Sequence, residues 1–194
     1  MVSNETFNDY SRPTAMNPKK FAFWLGLVSI VMFFAALTSA YIVRKADAGW
    51  NVFELPTVLK YSTAVILLSS VTMHWSYLAA KKDELEKVKL GMVVTTILGI
   101  AFLVLQFESY GDLVQRGLYF TGPGSNVSSS FLYVITLAHA AHIVSGVIFL
   151  IYALIKVFGN KVHSNNMLMM ESCTTYWHFL DLLWVYLYCF LLFS

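Results

Sequence analysis

Long apolar stretches separated by short polar connections make up almost all of this chain of 194 residues. Each stretch is close to the roughly 20 residues that an α-helix needs to cross about 30 Å of hydrocarbon. The five stretches are Phe21–Val43, Leu55–Leu78, Leu90–Phe107, Phe131–Val157 and Cys173–Phe193. Because the connections are too short for a soluble domain, the pattern predicts an all-α membrane protein, a bundle of five transmembrane helices. Residues 1–20 then form an N-terminal tail, and residues 21–194 form one transmembrane domain.

Composition and charge agree with a multi-pass membrane protein and predict its orientation. Hydrophobic residues make up 58% of the chain and charged residues only 12%, which is typical of membrane proteins, and no nucleic-acid partner is expected. Nine of the 13 Lys and Arg residues fall in the N-terminal tail and in the second and fourth connections. Since basic residues favour the cytoplasmic side, we expect a cytoplasmic N-terminus and a C-terminus outside.

Three ionisable side chains fall near the middle of the predicted spans. Asp181 lies in the fifth span, and His139 and His142 lie in the fourth. An ionisable group at the bilayer centre costs at least ~3 kcal/mol, so it normally faces protein and has a partner. His178 lies three residues before Asp181, on the same helical face. We therefore expect Asp181 to be held by His178 or by a histidine of the fourth span.

The spacing in the fourth span predicts a close helix contact and leaves the chemistry of its histidines open. His139, His142 and Gly146 recur at i, i+3 and i+7 on one stripe. A neighbouring stripe of small residues consists of Ala138, Ala141 and Ser145. Small residues let membrane helices approach closely. Neutral imidazoles could ligate a metal or haem, or they could hydrogen-bond to Asp181, to Thr136 or to a backbone carbonyl.

Two motifs in the last two spans have the residues and spacings of a known family. The segment from Phe131 to Gly146 is similar to one ending T-G-x-H-G-x-H-V-x-x-G, with the threonine, both histidines and the last glycine in register. The pattern E-x4-Y-W-H-F-x-D-x-x-W is matched by Glu171, Tyr176-Trp177-His178-Phe179, Asp181 and Trp184. On these motifs the chain resembles subunit III of the haem–copper respiratory oxidases.

Other segments fit this family less tightly, and the chain departs from it in two ways. Leu55-Pro56 with Ser69 to His74 resembles one family helix, and Gln106, Glu108 and Tyr110 resemble its Q-x-x-E-Y at a different spacing. The first span, from Trp24 to Phe34, matches W-x-x-L-x-S-E-x-M-F-F, but Ile30 replaces the buried glutamate. Many members also have seven helices with a lipid-holding cleft between the first two and the last five, whereas this chain is expected to have only the last five.

The resemblance implies an accessory, non-redox subunit of a proton-pumping terminal oxidase in a bacterial inner membrane. Its partners would be the catalytic haem–copper subunit I, other oxidase subunits and phospholipids. Haem and copper would belong to those partner subunits, so no catalytic, cofactor-binding or metal-binding residue is expected in this chain. Seven residues would instead serve a structural, lipid-contacting or buried polar network: His74, Glu108, His139, His142, Glu171, His178 and Asp181.

The electron donor and two other functions stay open at this point. The complex would accept electrons from cytochrome c or, in the quinol-oxidising branch, from quinol. A haem-bearing electron carrier could use His74, a histidine of the fourth span and His178 as axial ligands. A small transporter is suggested by the buried Asp181, although no internal repeat or broken span supports it.

Overall fold

The computed structural model describes residues 18–46, 50, 55–122, 125–159 and 168–193. In this part of the chain it contains the helices α1 (Pro18–Lys45), α2 (Val58–Lys81), α3 (Leu85–Gln115), α4 (Val127–Phe158) and α5 (Leu168–Phe193). All five are long and apolar enough to cross a membrane, which confirms the predicted five-helix membrane protein. Most of the predicted tail, residues 1–17, lies outside the described residues.

Most helices extend beyond the apolar stretches that predict them. Helix α3 has 31 residues, about 46 Å at 1.5 Å per residue, whereas the hydrocarbon is about 30 Å thick. Its ends therefore project into polar surroundings, where Asp112 forms a 2.9 Å ion pair with Arg116. Helix α2 instead begins later than predicted, at Val58. Leu55 stays outside it because it precedes Pro56, whose ring disfavours helical geometry in the residue before it.

Helix α5 occupies the centre of the bundle. It packs against α1, α2 and α4, while α3 packs against α2 and α4. Helix α1 touches only α4 and α5, and within the described residues it makes no contact with α2. Successive helices run in opposite directions, so α1, α3 and α5 begin at one end of the bundle, which we call the Lys20 end. A groove between α1 and α2 is therefore floored by α5.

Helices α2 and α3 form a tight hairpin through small and hydroxylated side chains. The turn contains Asp83, with φ 56, in the left-handed region that Asp tolerates. Gly91 approaches Ser76 so closely that an added Cβ would lie 2.8 Å from the serine Cβ. Thr72 and Thr95 are hydrogen-bonded across the pair at 2.8 Å. Close backbone approach and interhelical hydrogen bonds are the usual means of joining membrane helices.

The indole ring of Trp177 fills a slot between α3 and α4. A Cβ added to Gly99 would lie 2.6 Å from Cη2 of Trp177, and one added to Gly146 would lie 2.9 Å from Cδ1 of Leu180. The prediction that Gly146 permits a close helix contact is thus confirmed. The neighbouring stripe is less buried. Ala141 is exposed, whereas Ala138 packs against a core cluster and the Ser145 hydroxyl lies 2.6 Å from that of Tyr176 on α5.

Candidate functional site

Three side-chain hydrogen bonds join α2 to α5 and define a buried polar seam. The indole N–H groups of Trp177 and Trp184 each donate to a hydroxyl on α2, and the His178 ring shares a short hydrogen bond with a third. The pairs are Trp177 Nε1 to Ser69 Oγ at 3.0 Å, Trp184 Nε1 to Thr63 Oγ1 at 3.0 Å, and His178 Nδ1 to Ser70 Oγ at 2.6 Å. Each satisfies a polar atom that the membrane interior would otherwise leave unpaired.

Asp181 lies in this seam without the predicted histidine partner. Its side chain is only 3% exposed, and neither carboxyl oxygen has a hydrogen-bond partner among the described residues. The expected bond to His178 is wrong because the Nδ1 atom of that ring is directed to Ser70 on α2. The bond to a histidine of the fourth span is also absent. Ser70 is the polar neighbour of the carboxyl, outside hydrogen-bond geometry.

His139 is enclosed by aromatic rings rather than by hydrogen-bonding groups. The side chain is fully buried, and neither ring nitrogen has a partner in the described part of the chain. It stacks on Trp184 with ring centroids 5.0 Å apart, while Phe34 and Phe102 approach at 6.3 and 6.1 Å. The predicted hydrogen bond from this histidine to Asp181, Thr136 or a carbonyl is therefore wrong.

His142 has surroundings of its own, although it lies one turn from His139. Its Nδ1 atom is 2.7 Å from the backbone oxygen of Ala138, a carbonyl of its own helix rather than of a neighbouring one. Thr136 is hydrogen-bonded to a different residue, since it accepts a hydrogen bond from Tyr110 at 3.2 Å.

Within the described ranges no group of three or more His, Cys, Asp or Glu side chains is arranged to hold a metal ion.

A polar cavity of about 400 Å³ opens between α1, α2 and α5 at the Lys20 end. Lys20 and Glu171 form a 3.7 Å ion pair at its rim, and Glu171 lies in the first turn of α5. The rings of His74 and His178 line the cavity with centroids 5.9 Å apart. Thr174 also lines it, and its buried hydroxyl has no partner among the described residues.

A second cavity, about 290 Å³ in volume, lies between α1 and α5 and is almost entirely apolar. Near it, the hydroxyls of Thr38 and Tyr186 lie 3.2 Å apart and tie α1 to α5. Residues from both helices line this cavity: Val31, Phe34, Ala35, Phe179, Leu182, Leu183 and Tyr186.

The seven predicted network residues therefore do not form one site. His139 and Asp181 are buried, His142, Glu171 and His178 are partly buried, and His74 and Glu108 are exposed. Glu108 lies on the outer face of α3, away from the seam. The sequence interpretation missed the hydroxyl groups of α2. A signal for this face was available, because Ser62, Ser69 and Ser76 recur every seven residues and are all fully buried.

Five membrane-length helices, two of them joined by a polar seam, define a multi-pass membrane protein whose polar groups mainly hold helices together. A family model described as cytochrome c oxidase subunit III matches residues 1–194. The chain belongs to the cytochrome c oxidase subunit III family.

Relatives of this chain include subunits of two kinds of oxidase. The cytochrome bo(3) ubiquinol oxidase subunit 3 of Pseudomonas aeruginosa is 28% identical over 85% of this chain and 79% of the relative. The probable cytochrome c oxidase subunit 3 of Nocardia farcinica is 31% identical over 85% and 81%, and the cytochrome c oxidase subunit 3 of Bacillus sp. PS3 is 26% identical over 88% and 83%. Together with the five spans, the bacterial relatives place this chain in the bacterial inner membrane.

Proposed function

We propose that this chain acts without a redox centre of its own, bound beside the catalytic haem–copper subunit of a terminal oxidase and stabilising it during turnover. The observation that carries this proposal is the aromatic enclosure of His139, the most deeply buried imidazole of the bundle. Phe34, Phe102 and Trp184 pack around the ring, which supports a packing role rather than a ligand role. The three hydrogen-bonded pairs of the seam likewise join α2 to α5.

The partner surface is proposed to include the outer face of α1. Large apolar side chains on this helix are exposed over most of its length, and within the described residues the helices that contact it are α4 and α5. An exposed apolar helix face of this kind can contact either lipid or a helix of the catalytic subunit. Ile30, which replaces the family's glutamate, lies on α1 and packs partly against a cluster of buried apolar residues.

A phospholipid is proposed to lie in the groove between α1 and α2. The Lys20–Glu171 pair offers one cation and one anion to a headgroup, and the separate apolar cavity between α1 and α5 offers space to an acyl chain. From His178 to Tyr186 the helix rises about 12 Å, close to the roughly 15 Å of one hydrocarbon leaflet. These dimensions support one acyl chain in the groove.

Cytochrome c is proposed as the electron donor of the complex, with quinol as the alternative. Two of the three relatives described above are named as cytochrome c oxidase subunits, and one is named as a ubiquinol oxidase subunit. The donor site would lie on other subunits, so this chain's geometry does not bear on it.

The Lys20 end of the bundle is proposed to face the cytoplasm. The unequal distribution of Lys and Arg between the two sides of the predicted spans supports this orientation.

Purification of the native complex tests these proposals together. We expect this chain to co-purify with a haem–copper catalytic subunit, and mass spectrometry of the other chains identifies the donor. A partner with a binuclear copper domain indicates cytochrome c, and its absence from an intact oxidase indicates quinol. Stoichiometric haem on the separated chain would instead establish an electron carrier and overturn the proposed function.

A further inference from the structure

One face of α5 carries buried polar atoms that the helix-joining hydrogen bonds leave unpaired. Within the described part of the chain, no partner is found for Thr174 Oγ1, for His178 Nε2 or for either carboxyl oxygen of Asp181. These residues are spaced i, i+4 and i+7, so they lie on one helical face. The face runs about 10 Å along the axis, from the Lys20 end toward the middle of the membrane. Buried polar atoms without a protein partner commonly bind internal water.

The same face begins in a cavity that can hold water. Thr174 and His178 both line the polar cavity at the Lys20 end, whose 400 Å³ exceeds the roughly 30 Å³ of a single water many times over. His178 lines the cavity and is hydrogen-bonded to Ser70. Ser70 is in turn the polar neighbour of the Asp181 carboxyl. These two side chains, together with bound water, can form a polar route from the cavity to Asp181.

The surroundings leave Asp181 without a charged partner. Its oxygens form no ion pair or hydrogen bond with the described residues, and a carboxyl so buried avoids carrying charge by keeping its proton. Titratable and charged groups from the packed helices lie around the route: His178 on α5, His74 on α2, His139 on α4 across Trp184, and the Lys20–Glu171 pair at the rim.

We propose that Asp181 is a proton-exchange site supplied from the cavity at the Lys20 end through bound water and the Ser70–His178 pair. In each exchange the carboxyl gives its proton to the adjacent water, and a second proton from the cavity replaces it. No net charge remains in the seam, and no other reactant is needed. The proposal goes beyond a purely supporting subunit and does not depend on which electron donor the complex uses.

Infrared spectroscopy of the intact oxidase complex tests this route. The carboxyl C=O band of Asp181 is identified as the band missing from an Asp181→Asn complex, and its shift is followed after transfer into D₂O. We expect the band to be present and to shift within minutes. Absence of the band, or a band unshifted after hours in D₂O, would overturn the proposal.

Matched variants separate the route from general loosening of the bundle. Thr174→Val and His178→Phe should slow the shift by about tenfold or more, because an apolar group interrupts the hydrogen-bonded chain. Two control variants should leave the exchange rate of the Asp181 proton at the parental value. Thr175→Val alters a residue that lines the same cavity but lies outside the Thr174–Asp181 face, and His142→Phe alters a residue on α4. Equal slowing in the controls, or parental rates in all four variants, contradicts the proposal. If either Thr174→Val or His178→Phe fails to assemble, the other variant and the exchange rate of the parent complex still test the proposal.

Discussion

His139 and Trp184 stack face to face in the centre of the bundle, with ring centroids 5.0 Å apart and planes inclined by 29°. The indole is held in place by its hydrogen bond to Thr63 on α2. A histidine from α4 therefore packs on a ring whose orientation is fixed by a different helix. This contact links α2, α4 and α5 without using either imidazole nitrogen.

His139→Phe should accordingly be tolerated, because an aromatic ring can fill the same space and no hydrogen bond is lost. His139→Ala should destabilise the subunit by about 2–4 kcal/mol through the cavity that it leaves. Thermal denaturation of the purified complex measures both, with the parent as reference. A loss of stability in the Phe variant as large as that in the Ala variant would contradict this, because it would mean that the imidazole contributes more than the space it fills.

Gly99→Ala should disturb the bundle, because the new Cβ would lie 2.6 Å from the Trp177 ring. The indole is hydrogen-bonded to Ser69 and cannot move aside easily, so we expect a loss of about 1–3 kcal/mol. Gly111→Ala on the same helix is the matched control, since nothing lies within 4 Å of its Cβ position. Subunit retention during detergent purification reports the difference, and equal retention of both variants would be the contrary result.

Ser69→Ala should weaken the attachment of α2 to α5 by about 1 kcal/mol, because the buried Trp177 N–H loses its acceptor. Thr96→Val provides a control, since Thr96 bonds only to a carbonyl of its own helix, that of Met92. Tryptophan fluorescence and the melting temperature of the complex follow the change. No difference between the two variants would show that the interhelical bond adds nothing to stability.

Ile30→Glu should bring no gain in proton pumping. The side chain packs partly against buried apolar residues, so a carboxyl placed there would stay neutral or destabilise assembly. Protons pumped per electron are compared between Ile30→Glu, Ile30→Leu and the parent after reconstitution. A clear increase in the Glu variant would mean that this position has a functional rather than a packing role.

Deletion of the subunit should leave the haem and copper spectra of the oxidase largely unchanged while shortening its working life. The expected cause is the loss of supporting helices and lipid around the catalytic subunit. Optical spectra and the number of turnovers before inactivation are the two measurements. A fall in haem or copper signal in proportion to the missing subunit would contradict the absence of a redox centre from this chain.

The sequence was sufficient to predict the five helices, because a membrane-length apolar segment must satisfy its backbone hydrogen bonds internally, as an α-helix does. It misjudged helix ends, where polar residues continue a helix outside the hydrocarbon, as Asp112 and Gln115 do in α3. It also misassigned the partner of Asp181. Spacing along α5 puts His178 on the same face, but only the packing of α2 determines that this ring is directed to Ser70.

The site was harder to predict than the fold because its polar contacts join residues far apart in the chain. The bond between Ser70 and His178 spans 108 residues, and hydropathy carries no information about which faces meet. Gly146 was an exception, since a small residue on a helix face indicates close approach whatever the partner is. The buried serines of α2 offered a comparable signal through their seven-residue repeat.

The position of α1 at the edge of the bundle has a consequence for the order in which the protein assembles. Its helix partners are α4 and α5, and the hydrogen bond from Thr38 to Tyr186 spans 148 residues. During synthesis, therefore, α1 enters the membrane before any helix that it packs against exists. The α2–α3 hairpin can form as soon as α3 is inserted, but α1 must wait for the fourth and fifth helices. Docking of the first helix thus becomes a late step, and it reports that the rest of the bundle has been made.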